Sequence, residues 1–224
     1  MIADNIKSVT QRIAKCCERT GRPVDNVKLI CVTKEADLGQ IEEVLRCGLR
    51  ELGENRVQDL AAKYKVIGSM AVWHLIGHLQ TNKVKDAVKI ASLIHSVDSV
   101  RLAKDIDKES AKINKVQDIL AQVNVSGEIS KFGLAPDDLI NFIKEVSLYQ
   151  NINIKGLMTI APEADDAEKV RPYFKALREL RDKINALPVT RNPLTDLSMG
   201  MTGDFEAAIE EGATMVRIGR AIFR

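Results

Sequence analysis

A lysine at the end of an apolar run is the residue best placed for covalent chemistry in this chain. Residues 29–34 read Leu-Ile-Cys-Val-Thr-Lys. In an extended strand Lys34 shares parity with Ile30 and Val32, so the three side chains point the same way. Desolvation at a buried strand end lowers an amine's pKa and frees its lone pair to attack a carbonyl. A lysine snorkelling outward into water is the plainer alternative, and position alone leaves both open. A second signature lies near the C-terminus, where Gly200 and Gly203 open a loop before a helical pattern and Gly219 opens another. Glycine lets backbone come close to a ligand, and free N–H groups at a helix start favour an anion. Ser198 and Arg220 can add donors there. Each glycine alone would serve as a tight turn; their joint placement favours a phosphate site. The G-x-G-x-x-G spacing of dinucleotide folds is absent. Arg217, two residues before Gly219 on one strand, either points into the same region or pairs with a structural carboxylate.

Other reactive types carry weaker signals. His74 and His78 form H-x-x-x-H, but the stretch reads as strand and no acidic residue follows in metalloprotease spacing, so no metal site is expected. His95 reads as a satisfied core or rim histidine. Asn55 can orient a ligand or cap the next helix. Lys131 is either a second reactive lysine or a surface one. No Ser-His-Asp or Cys-His set is evident, and pairs such as Glu42–Glu43 and Asp165–Asp166 read as solvated faces.

The elements that must position these groups alternate. Residues 2–20 carry Ile2, Ile6, Val9 and Ile13 at helical spacing, ended by Gly21 and Pro23. Apolar runs follow at 27–33, 72–77, 93–97, 118–125, 152–160, 197–200 and 215–219, with a weaker one at 50–53, and helical segments lie between them. Strands alternating with helices imply right-handed βαβ units and a parallel sheet. Eight strands suit a closed (β/α)8 barrel preceded by an extra helix; a doubly wound open sheet gives the same local pattern. In a barrel, function sits after the C-terminal strand ends, with phosphate at the loops after strands seven and eight. No linker divides residues 1–224, so a single domain is expected.

Composition restricts the partners. The 224 residues include 33 basic and 31 acidic ones, a net charge of +2. That balance gives no strong pull toward nucleic acid or membrane, and 4% aromatics leaves few rings to stack on bases. The lysines at 83, 85 and 89 read as a solvated helix face. No apolar stretch suits a membrane span or a signal core. Four cysteines without C-x-x-C spacing suit a reducing cytoplasm.

The chain resembles the pyridoxal phosphate homeostasis proteins, single-domain relatives of the alanine racemase barrel. The matching stretches are Val32-Thr33-Lys34, Gly53-Glu54-Asn55-Arg56-Val57-Gln58, Trp73-His74-Leu75-Ile76-Gly77 and Leu79-Gln80-Thr81-Asn82-Lys83. Further on come Ser130-Lys131-Phe132-Gly133, Gly156-Leu157-Met158, Leu197-Ser198-Met199-Gly200-Met201 and Arg217-Ile218-Gly219. The resemblance implies a fold-type III barrel with pyridoxal 5'-phosphate held as an imine on Lys34. It implies Ser198, Gly200, Gly219 and Arg220 around the phosphate, Arg217 against the pyridine nitrogen and Asn55 near the ring oxygen. His74 and Met158 are expected to line the pocket. Glu35, Arg56 and His78 depart from the family's usual residues. The implied role is a non-catalytic carrier that buffers or delivers the cofactor to apo-forms of its enzymes, as a cytoplasmic monomer. The alternative is an amino-acid racemase or other lysine-imine enzyme. In the racemases resembled here a second domain and a partner subunit complete the site, and this chain is expected to be the barrel alone.

Overall fold

The apolar runs become eight parallel strands, and their hydrogen bonding decides between the two topologies. In a computed structural model, which describes residues 1–128 and 130–224, the strands are β1 (Lys28–Val32), β2 (Glu51–Glu54), β3 (Val72–Leu75), β4 (Leu93–Val97), β5 (Gln117–Gln122), β6 (Ile152–Met158), β7 (Asp196–Ser198) and β8 (Met215–Ile218). They pair in chain order, and β8 pairs back onto β1 through Lys28↔Met215, Leu29↔Val216, Ile30↔Arg217 and Cys31↔Ile218. That last pairing closes the barrel and excludes the open sheet. The weak run at 50–53 is a true strand, held between β1 and β3.

The helices are α1 (Ile2–Arg19), α2 (Leu38–Arg46), α3 (Val57–Ile67), α4 (Val84–Ile90), α5 (Val100–Ala111), α6 (Leu139–Val146), α7 (Arg171–Asn185), α8 (Phe205–Glu210) and α9 (Arg220–Phe223). Side chains that alternate outward from the strands, such as Leu29, Cys31, Leu52, Trp73 and Ile94, join the helices in the large core. Burying such an aliphatic or aromatic side chain stabilises by about 1.5–3 kcal/mol. The opposite set, Ile30, Leu93, Leu120, Met158 and Met215, forms a separate small cluster inside the barrel. His74, His95, Ser198 and Arg217 are buried there as well.

Helix α1 buries Ile2, Ile6, Val9, Ile13, Cys16 and Cys17 and packs on α2, α8 and α9. Its ion pairs reach Glu206 from Arg12 and Glu210 from Arg19. Beyond its end, Arg22 donates to the carbonyls of Ile209 and Ala213 at 2.8 and 2.9 Å. The extra helix therefore braces the last βα unit. Among the described residues no helix is long and apolar enough to cross a membrane. Cys16, Cys17, Cys31 and Cys47 are all unpaired thiols.

Candidate functional site

Five of the nine residues expected at the site converge on one cavity at the C-terminal mouth of the barrel. Its volume is about 470 Å³, and its lining includes Lys34, Asn55, Arg217, Gly219 and Arg220. Residues that sequence reasoning missed complete it, among them Val32, Ile76, Ile160, Glu163, Met201 and Thr202. Thr202 lies in the loop already singled out by its glycines, so its hydroxyl was legible as a donor. Ile160 and Glu163 belong to the loop after β6, which shows no motif of its own.

Lys34 stands two residues beyond the end of β1. Its side chain is 49% exposed and its amine lies 3.8 Å from the Glu35 carboxylate. Of the two placements that position leaves open, the exposed one is found: the chain turns out of the sheet before Lys34, and the amine reaches the open part of the mouth. Arg224 bonds Glu35 at 2.7 Å and holds its carboxyl below the usual range, which keeps an anion beside the amine.

The backbone under Lys34 is fixed from outside the barrel. Glu54 on β2 is fully buried and accepts from Thr33 Oγ1 at 2.6 Å. Lys63 of α3 donates to the same carboxylate oxygen at 2.7 Å and to the Thr33 carbonyl at 2.5 Å. The other Glu54 oxygen has no partner among the described residues. A conformational lock of this kind gave no sequence signal, because Lys63 reads as one more charge on a helix face.

Four expected residues lie below or beside the cavity instead of lining it. Ser198 is fully buried, and its hydroxyl already meets Arg217 Nη1 at 2.7 Å and His95 Nδ1 at 2.9 Å. His74 points into the barrel, with Nδ1 2.9 Å from His95 Nε2 and Nε2 2.7 Å from Glu51 Oε2. Met158 belongs to the apolar cluster of the interior. Gly200 has φ +92°, and a Cβ there would sit 2.6 Å from Ala208 Cβ. Its need for glycine comes from the turn and from close packing on α8. For Ser198, His74 and Met158, strand parity gives the direction of the side chain but not its height along the barrel axis.

Arg217 is the residue at which interior and cavity meet. Its guanidinium also donates to the Thr159 carbonyl at 2.8 Å. Burial lowers its pKa to about 10, opposed by the charge of Asp204. It is still a cation at neutral pH. Burial likewise drives His95 well below its ordinary value, helped by the charge of the Arg217 guanidinium, so that imidazole is neutral.

The loops after β7 and β8 supply donors. Asp204 Oδ1 accepts from Met201 N at 2.5 Å and folds the loop back on itself. Among the described residues, the N–H groups of Thr202, Gly203, Arg220 and Ala221 meet no protein acceptor. A Cβ on Gly219 would lie 3.0 Å from the Val32 carbonyl, so this loop presses on β1. Lys131 pairs with Glu128 at 3.1 Å and lines a neighbouring cavity of about 400 Å³. His78 faces away from His74, stacked 3.9 Å from the Phe132 ring and 3.6 Å from Asp98. No group of three potential metal ligands gathers among the described residues.

With this geometry in hand, the comparisons are consistent with one another. The sequence matches the alanine racemase, N-terminal domain family over residues 4–224. It is 45% identical to the pyridoxal phosphate homeostasis protein of Aquifex aeolicus, covering 98% of this chain and 96% of that protein. A crystal structure of a protein of unknown function from Bifidobacterium adolescentis superposes with a TM-score of 0.94 at 36% identity, over 99% of this chain and 94% of the other. The structure of PipY from Synechococcus elongatus PCC7942 with pyridoxal phosphate bound superposes with a TM-score of 0.87 at 34% identity, over the whole of both chains. The match in sequence over nearly the whole length, on a closed eight-stranded barrel, means that the chain belongs to the pyridoxal phosphate homeostasis proteins of the alanine racemase N-terminal domain family.

Proposed function

We propose that this protein binds pyridoxal 5'-phosphate in the mouth cavity, covalently through Lys34, and serves to buffer or deliver it inside the cytoplasm. The observation that carries the reading is the convergence of Lys34, Arg217 and Arg220 on one cavity of about 470 Å³. A volume of that order suits a small ligand. The donor set fits the cofactor: an amine for its aldehyde, a buried guanidinium for the ring nitrogen, and Arg220 with unpartnered N–H groups for its phosphate. PipY, a relative of the same family, has pyridoxal phosphate bound. Bound pyridoxal phosphate supplies an aldehyde carbon and an aromatic electron sink.

Within that site Lys34 would hold the cofactor, Thr202 and Arg220 the phosphate, and Asn55 the rim near the ring oxygen. Gly219 would serve by keeping its loop close to β1. Ser198 would act from beneath, by holding Arg217, and Gly200 by shaping the loop. His74 and Met158 would form the layer under the floor.

We favour a carrier over a catalyst. Arg217 can only donate, so it leaves a facing ring nitrogen unprotonated and the ring a poorer electron sink. A racemase also needs acid–base groups on both faces, each worth about 10²–10⁴-fold. Among the described residues none of the three tyrosines or three histidines lines the cavity. An open mouth suits exchange of the cofactor with apo-enzymes, for which a monomer suffices. The test is the visible spectrum of the purified protein, followed by borohydride reduction and peptide mapping. The pyridoxyl group is expected on Lys34, and its appearance on Lys131 alone would overturn the assignment.

A further inference from the structure

The polar interior of the barrel is a continuous chain from one face to the other. Glu51 starts β2 at the face opposite the mouth, with its side chain 26% exposed. From there contacts run Glu51–His74 at 2.7 Å, His74–His95 at 2.9 Å, His95–Ser198 at 2.9 Å and Ser198–Arg217 at 2.7 Å. His74, His95, Ser198 and Arg217 are all buried. Lys28 on β1 flanks the Glu51 end, and Asp204 is the carboxylate whose charge reaches Arg217.

Counting protons fixes the direction of every link when both imidazoles are neutral. Arg217 has no acceptor, so it donates to a lone pair of Ser198 Oγ. At the other end the Glu51 carboxylate only accepts, so a neutral His74 carries its proton on Nε2 and offers a lone pair at Nδ1. His95 then donates from Nε2 to His74 and offers its own Nδ1 lone pair to the Ser198 hydroxyl, which donates there while it accepts from Arg217. A cation at one end and an anion at the other select the same direction. Reversed, His95 would donate to Ser198 Oγ, and that oxygen would receive two donors with its own proton displaced from the chain.

We infer that Glu51, His74 and His95 are positioning residues for Arg217, and that the Glu51 carboxylate sets the direction of the whole chain from the far face of the barrel. This rests on the reading that the ring nitrogen of pyridoxal phosphate meets Arg217. With the direction set, Ser198 keeps a lone pair for the guanidinium, and the guanidinium keeps its pose below the ring. Buried networks of this kind are strong when every member is satisfied.

Two measurements test the inference. In the full-length apo-protein, imidazole ¹⁵N NMR should show His74 and His95 neutral, each with its proton on Nε2. Glu51→Leu should move the protons to Nδ1 and weaken pyridoxal phosphate binding by about 2- to 30-fold, the range for coupling through such networks. Glu51→Gln, which keeps an acceptor for His74, should restore both. A merely structural Glu51 would lower Tm without moving tautomers or affinity. A proton on His95 Nδ1 in the wild-type protein overturns the inference, with no variant needed. So does a Glu51→Leu protein with unchanged tautomers and affinity. If the wild-type protein takes up no pyridoxal phosphate, the site reading fails, while the tautomer measurement still judges the chain.

Discussion

Lys63 on α3 and the buried Glu54 on β2 meet at 2.7 Å directly behind the backbone that carries Lys34. The pair is a lock: its lysine also holds the Thr33 carbonyl, one residue before Lys34. Removing one partner of a buried pair leaves an uncompensated charge, at a cost of about 3–5 kcal/mol. Lys63→Met is therefore expected to lower the urea midpoint strongly. The double variant Lys63→Met with Glu54→Leu should recover much of that loss. A single variant as stable as wild type would show that the pair does not act as a lock.

The phosphate contacts predict a preference. If Arg220 and the N–H groups of the β7 and β8 loops bind the phosphate, pyridoxal phosphate should bind far better than pyridoxal. A hydrogen bond to a charged group contributes about 1.5–3 kcal/mol, or roughly 10- to 150-fold. Arg220→Ala should narrow the gap between the two ligands by up to that range, measured by titrating each into the apo-protein. Equal affinities in the wild-type protein would remove the phosphate from these loops.

Stability should fall in mild acid through His95. Its folded-state pKa is depressed well below the ordinary value of 6.5. Below pH 6.5 the unfolded chain therefore binds a proton that the native protein refuses. Stability contributed by this group is complete above that pH. It is lost as pH falls, by about 1.4 kcal/mol per pH unit. Urea melts between pH 7 and pH 5 measure the slope. His95→Gln should flatten it while lowering stability at pH 7; an identical slope in that variant would assign the effect elsewhere.

Amino acids should not be turned over efficiently. Incubating the holo-protein with single enantiomers of alanine, serine and lysine, and following chirality, is expected to show no racemisation at a useful rate. The same preparation should activate an apo-form of a pyridoxal phosphate enzyme. Efficient racemisation that disappears in Lys34→Ala would restore the enzyme reading.

The barrel was legible because parallel buried strands and amphipathic helices leave different periodicities, and both are plain here except at the short strand from Glu51, whose apolar run is weak. Lys34, Arg217 and the glycine loops were legible because strand ends and loop glycines occupy predictable places in such a fold. Parity alone does not tell that Met158, His74 and Ser198 lie below the cavity. Their inward direction follows from parity, but their depth depends on the stagger of neighbouring strands, and the register slips between Ile119 and Leu120. The roles of Glu51 and Lys63 arise only from contacts across the fold. Nothing local distinguishes them from other charged residues.

The junction of β1 and β8 is where the ring of strands joins its first member to its last, and Lys34 and Arg217 rise from opposite sides of it. A ligand gripped by both would act as a staple across this seam, linking parts of the chain that are remote in sequence. Its arrival would tighten the joint against breathing, and its departure would be easiest when the joint opens. Amide hydrogen exchange along these two strands would then report cofactor occupancy more sharply than exchange anywhere else in the sheet.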